Sequence, residues 1–240
     1  MAGDGTPTAR GSGYVDRARS CRLCGLRLGT SWWENHLGDR FCLAHRDSPA
    51  CLLCAAPMRN SATGRYCDAC AATAICSTAD LRAYLPTVRA GLHRMGVRLR
   101  TPIRVRIGTP AELDSAEGAT AGTTFGVTHL LNGAATGITV CTGMPRMHFG
   151  STVAHESMHV WIRQRDFPEL PTAVEEGLCE LTADEWLRRQ PDPRAALVRQ
   201  GMASSPDPVY GEGFRAARAA LTGRRMGDLL RHVKRYGALP

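Results

Sequence analysis

The chain has 240 residues, 43% hydrophobic and 22% charged, a composition that suits a soluble protein with one medium domain and a small module. No apolar run approaches the ~20 residues of a membrane helix, and residues 1–13 lack the apolar core of a secretory signal, so a cytoplasmic protein is expected. The net charge is +8, but Lys234 is the only lysine and the arginines are interleaved with acids, so neither a nucleic-acid nor a membrane partner is expected.

In chain order, residues 1–20 read as a flexible leader. Residues 21–75 are poor in apolar periodicity and hold seven of the ten cysteines. Cys21-x-x-Cys24 with Cys42-x-x-His45 makes one four-ligand set, and Cys51-x-x-Cys54 with Cys67-x-x-Cys70 makes a second. Each pair is a knuckle that can close a tetrahedral zinc, so two structural zinc ions are expected to hold this module. His36 is a rival fourth ligand for the first site. Trp32 and Trp33 read either as partner contacts or as the small module's core. A protein partner on this module is one expectation.

Residues 76–240 form the larger domain. Cys76 reads as a buried thiol at the start of a helix capped by Ser77 or Thr78, with Leu81, Tyr84, Leu85, Val88, Leu92 and Met95 at helical spacing. Pro86 should kink or split it. Residues 103–107, 127–131 and 138–141 read as short strands between Gly- and Thr-rich turns. A helix over 147–163 buries Met147, Ala154, Met158, Trp161 and Ile162. Thr172 starts another, reaching about Gln190, with Glu175 at capping-box spacing. Two more helices follow at 210–221 and 226–235.

The 147–163 helix carries His155-Glu156-Ser157-Met158-His159. Histidines four apart lie on one face and can reach one metal, while Glu156, turned by about 100°, can take a proton from an attacking water. A catalytic zinc needs a third ligand and an open position. Glu175 and Glu176 are the candidates. Glutamate ligands of zinc peptidases such as the neutral aminopeptidases often precede a glycine, and this similarity favours Glu176, before Gly177. Glu180, one turn on, can then accept the outward N–H of a ligand histidine. Tyr210 is a candidate donor to the developing oxyanion, with His148 and His129 as alternatives. A substrate backbone could add to an edge strand at 138–141.

Residues 143–161, 174–187 and 208–216 together resemble the plant LIM-domain, ubiquitin-activated peptidases of the DA-one family. So do Phe41-Cys42-Leu43-Ala44-His45 and the Cys51/Cys54 and Cys67/Cys70 knuckles. The resemblance implies a zinc endopeptidase acting on protein substrates. The fold class it implies is α+β, a zincin-like metallopeptidase domain of glutamate-ligand type at 76–240 after a LIM-like double-zinc module at 21–75. Three zinc ions are expected, one catalytic on His155, His159 and Glu176 and two structural. The alternative is a zinc-scaffolded protein-binding adaptor with a latent site. The ubiquitin-interacting helices and first LIM domain of the plant proteins have no counterpart in these residues. With Lys234 the only lysine, a switch by attached ubiquitin is not expected. The arginine- and alanine-rich composition reads as that of a short bacterial relative.

Overall fold

The computed structural model describes residues 19–59, 65–117 and 124–240, so all but the last two positions of the expected leader lie outside the described residues. Backbone contacts divide the chain into two units, Met1–Cys67 and Asp68–Pro240.

The first unit is built on tight turns. Strands β1 (Trp32–Glu34) and β2 (Arg40–Cys42) pair antiparallel, with Trp33 opposite Phe41. Two knuckles share one local geometry. The amide of Gly25 donates to the Cys21 carbonyl and that of Ala55 to the Cys51 carbonyl. Both residues lie in the left-handed region, Gly25 at φ 75° and Ala55 at φ 59°. Glycine takes that conformation freely, whereas alanine is strained in it. Little apolar side-chain mass is buried here beyond Phe41, Ala56, Met58 and the cysteines, so a packed core cannot account for the order of this unit.

The second unit is a mixed α+β arrangement. After α1 (Asp68–Ala71) and β3 (Ala74–Ile75), helix α2 (Thr78–Arg94) is closed by a capping box between Ser77 and Asp80. It runs through Pro86 as one element. Arg82, whose carbonyl Pro86 cannot satisfy, is exposed to water, while Leu81, Val88 and Leu92 stay buried. Cys76 is exposed, contrary to the buried thiol expected, because it lies in the capping turn, where its amide donates to Asp80 Oδ2.

Strands β4 (Arg104–Gly108), β5 (Gly126–Leu131) and β6 (Ala134–Cys141) form a sheet of order β4-β6-β5. β6 runs parallel to β4 and antiparallel to β5. Residues 138–141 are therefore central, with both sides paired, and cannot take up a substrate strand; the edge next to the cleft is β5. Between β4 and β5 lies α3 (Pro110–Glu117), which periodicity did not reveal although Thr109-Pro110-x-Glu112 is a helix-start signature. The Thr109 amide donates to Glu112 Oε2 at 2.6 Å and the Glu112 amide to Thr109 Oγ1 at 3.3 Å.

β7 (Met144–Pro145) pairs with β3 and leads into α4 (Arg146–Arg163), which packs against the sheet and against α5 (Thr172–Leu187). Then come α6 (Arg194–Ser204), also missed by periodicity, α7 (Tyr210–Leu221) and α8 (Met226–Tyr236). Trp186 of α5 is fully buried and is wedged where glycines of α2 and α4 leave room. A Cβ at Gly91 would lie 2.6 Å from its Nε1, and one at Gly150 2.2 Å from its Cη2. α5 and α7 meet backbone to backbone, a Cβ on Gly177 falling 2.4 Å from the Gly213 carbonyl oxygen. Among the described residues no helix is long and apolar enough to cross a membrane.

Candidate active site and metal clusters

α5 places three carboxylates, those of Glu175, Glu176 and Glu180, around two imidazoles of α4. His155 Nε2 and His159 Nε2 lie 3.2 Å apart, and Glu176 Oε2 is 3.1 Å from the first and 3.5 Å from the second. Donor atoms sharing a tetrahedral zinc at ~2.0–2.1 Å stand about 3.4 Å from one another, so the three atoms have the spacing that one ion requires. Glu176 Oε2 is buried without a hydrogen-bond partner, which marks it as an acceptor aimed at something else. The residues fit a zinc ion.

The outward nitrogens are also occupied. His155 Nδ1 faces Glu180 Oε1 at 3.0 Å, and His159 Nδ1 faces Glu175 Oε1 at 2.9 Å. Protons on both Nδ1 atoms leave both Nε2 lone pairs free for a metal. Glu175 is itself gripped by Arg163, whose Nη2 donates to both carboxylate oxygens at 3.1 Å. The capping-box role expected for Glu175 is not what forms. Helix α5 has Pro171 at its N-cap with no side-chain cap, and the Glu175 carboxylate turns across to α4. Helix spacing within α5 alone could not disclose this, since the partner is 16 residues away on another helix.

Burial opposes charge on these imidazoles, but the facing carboxylates of Glu176 and Glu180 outweigh it and raise His155 well above the usual histidine range. His159 is likewise raised, by Cys179, Glu175 and Glu176. Glu176, despite burial, is held down to about 2 by the two histidines. Without a metal, protons therefore sit where the cation would. Cys179 could also donate to a metal: His155, His159 and Cys179 place one such atom each within 4.8 Å of one another, and its thiol is fully buried. As an isolated cysteine it carried no sequence signal.

Glu156, the expected base, is 6% exposed and accepts a hydrogen bond from the Thr128 hydroxyl at 2.7 Å. It lines a cleft of about 1210 Å³ with Thr128, His148, His155, His159 and Tyr210. The Tyr210 ring, at the start of α7, is centred 6.2 Å from that of His155. His148 stacks on Phe125 at 4.6 Å, and burial lowers it to about 4, leaving a neutral imidazole in the cleft. His129 is bound elsewhere, its Nε2 2.6 Å from Thr139 Oγ1 between β5 and β6.

In the first unit, Cys21, Cys24, Cys42 and His45 bring four ligand atoms within 4.8 Å of one another. Cys24 and Cys42 sulfurs are 3.8 Å apart, and His45 Nε2 is buried without a partner, as a nitrogen meant for a metal would be. Burial and the neighbouring sulfurs push the Cys42 thiol up to about 11. For Cys21 burial acts the same way, yet amides of Cys24, Cys42 and Leu23 bring it down to about 7. His36 is exposed and outside this set. Cys51, Cys54 and Cys67 cluster likewise, with Cys54 and Cys67 sulfurs 3.7 Å apart. Cys70, the last residue of that knuckle, is buried on α1 of the second unit. Trp33 packs on Phe41 at 5.0 Å. Trp32 is 40% exposed under the Arg40 guanidinium, so of the two tryptophans only Trp33 packs into the module.

Part of the chain has relatives. Residues 122–205 match the model of the DA1-like family, described as Protein DA1. Protein DA1 of Arabidopsis thaliana is 32% identical over 133 residues, covering 44% of this chain and 25% of that protein. Protein DA1-related 1 of the same plant is 33% identical over 97 residues, covering 40% and 17%. The LIM domain-containing protein HDR3 of Oryza sativa subsp. japonica is 29% identical over 141 residues, covering 44% and 28%. The matches support a relationship to the DA1-like family; the chain spans about a quarter or less of the length of the first two and 28% of the third. No solved structure matches.

Proposed function

We propose that the chain is a zinc-dependent endopeptidase that hydrolyses peptide bonds in protein substrates. The observation that carries this reading is the convergence of His155 Nε2, His159 Nε2 and Glu176 Oε2 at 3.1–3.5 Å, at the wall of a cleft that also holds Glu156. His155, His159 and Glu176 hold the ion. A zinc there supplies Lewis acidity toward water and the scissile carbonyl. Glu156 takes a proton from the attacking water and delivers it to the leaving amine. Tyr210, whose ring is centred 6.2 Å from that of His155, donates to the oxyanion. The substrate backbone lies along β5, the strand edge that borders the cleft.

The cysteine clusters hold two structural zinc ions and carry a surface for a protein partner, with Trp32 exposed on it. The similarity of residues 122–205 to the DA1-like family supports the peptidase part, and the LIM domain named in the rice relative supports the zinc module. The arginine- and alanine-rich composition supports a bacterial source, and the single lysine, Lys234, supports an enzyme regulated without attached ubiquitin. The test is cleavage of an unstructured, dye-labelled protein by the zinc-loaded chain. Cleavage should stop on chelation, and Glu156→Gln should abolish it while retaining its zinc. A wild type that binds three zinc ions and cuts nothing would favour the adaptor reading instead.

A further inference from the structure

We propose that Thr128 is a positioning residue for Glu156, so that the sheet-edge strand β5 sets the orientation of the catalytic base. The inference rests on the peptidase reading above and deepens it. Glu156 is nearly buried, and its side chain has three rotatable bonds, so a buried carboxylate there needs something to locate it. Strand β5 does this twice. The Thr128 hydroxyl donates to Oε2 at 2.7 Å; its other acceptor within reach, the Glu156 carbonyl oxygen, is more distant at 3.3 Å. The second oxygen is located by shape: a Cβ on Gly126 would lie 2.7 Å from Oε1 and 2.9 Å from Cγ. Alternate residues of a strand share one face, which puts Gly126 and Thr128 together against this carboxylate.

The choice of a hydroxyl is itself informative. Glu175, on α5 beside His159, is gripped by the Arg163 guanidinium, a full positive charge suited to a carboxylate that only orients a histidine. A hydroxyl restrains a carboxylate without adding charge, so the group can still accept a proton from water and give it to the leaving amine. The proton then moves between water, Glu156 and the amine nitrogen, and Thr128 keeps its own throughout. Its contribution is orientation.

The test compares zinc-loaded wild type, Thr128→Val and Thr128→Ser. It uses three readouts: kcat and KM on an unstructured protein substrate, zinc per chain, and the carbon NMR signal of the Glu156 carboxyl, assigned by its absence in Glu156→Gln. Thr128→Val should lower kcat about tenfold, with KM and zinc content unchanged, and should move the carboxyl signal. Thr128→Ser should restore both. The proposal is overturned if Thr128→Val keeps full kcat, if Thr128→Ser is as impaired as Thr128→Val, or if the loss of activity follows loss of zinc. Wild type that cleaves nothing, with a carboxyl signal still dependent on the hydroxyl, would refute the peptidase reading and the proton-transfer role together. The same silence with a signal indifferent to Thr128 would refute the contact as well.

Discussion

Each of three glutamates facing the two histidines has its own atom to satisfy, which makes their substitutions separable. Glu176→Ala removes an oxygen aimed between both Nε2 atoms and should empty this site of zinc, one ion fewer per chain by atomic emission. Glu175→Ala and Glu180→Ala remove only the acceptors of Nδ1 and should weaken zinc affinity about 10–100-fold in a chelator competition, without abolishing binding. Cys179→Ser should leave the affinity within a few-fold if Glu176 is the third ligand. A thiolate-to-cobalt absorption band in the Co(II)-substituted protein, lost in that variant, would reassign the ligand. The pKa shifts add a sign. His155 and His159 are raised in the metal-free fold and so remain protonated at pH 7. Zinc needs their neutral form, so uptake should release about two protons at this site, read by titration calorimetry in buffers of different ionisation enthalpy. For stability the two directions frame a window. The raised histidines contribute fully below their unfolded value of 6.5 and lose that contribution only at alkaline pH. The Glu176 contribution is present above 4.5 and fades as pH falls through about 2. The metal-free site is thus firmest in weak acid, whereas zinc binding strengthens as pH rises.

At the scale of elements, glycines decide how closely helices approach. Gly177 follows Glu176 in sequence, a pairing that reads as a ligand signature, and the contact it makes is with the α7 backbone at Gly213. Gly177→Ala should therefore push α5 from α7 and cost about 1–3 kcal/mol in urea unfolding, and more if the backbone cannot shift. Gly150→Ala should do the same through Trp186, on the helix that carries His155 and His159. Legibility at this scale followed locality. The cap of α2 was readable because Ser77 and Asp80 are three residues apart. α6 buries only Ala195 fully among its residues, so it has no stripe for periodicity to find. The central place of residues 138–141 depends on pairing with β4 about 30 residues earlier, and short strands do not state their neighbours.

For the whole molecule, the two units draw on different sources of stability. The second has a large apolar core running from Ile75 through Trp186 to Val233, whereas the first buries little besides its clustered cysteines, Phe41, Ala56 and Met58. Chelation should accordingly release amide protection in hydrogen exchange across residues 19–59 and leave the core of α4, α5 and α7 protected. Loss of protection throughout the second unit on chelation would contradict this division.

The sequence by itself determined the chemistry that depends on short spacing: Cys-x-x-Cys and Cys-x-x-His pairs, two histidines one helical turn apart with a glutamate between, and a glutamate turn at 176 and 180. Spacing of three or four residues dictates which side chains share a face, and that much needs no fold. Only the tertiary structure decided that Glu175 serves His159 under Arg163, that Cys179 lies beside the two histidines, that β5 is the strand at the cleft, and that Thr128 holds Glu156. Each of these joins residues from different elements, brought together by the packing of α4 against α5 and the sheet, and no local period records such a meeting.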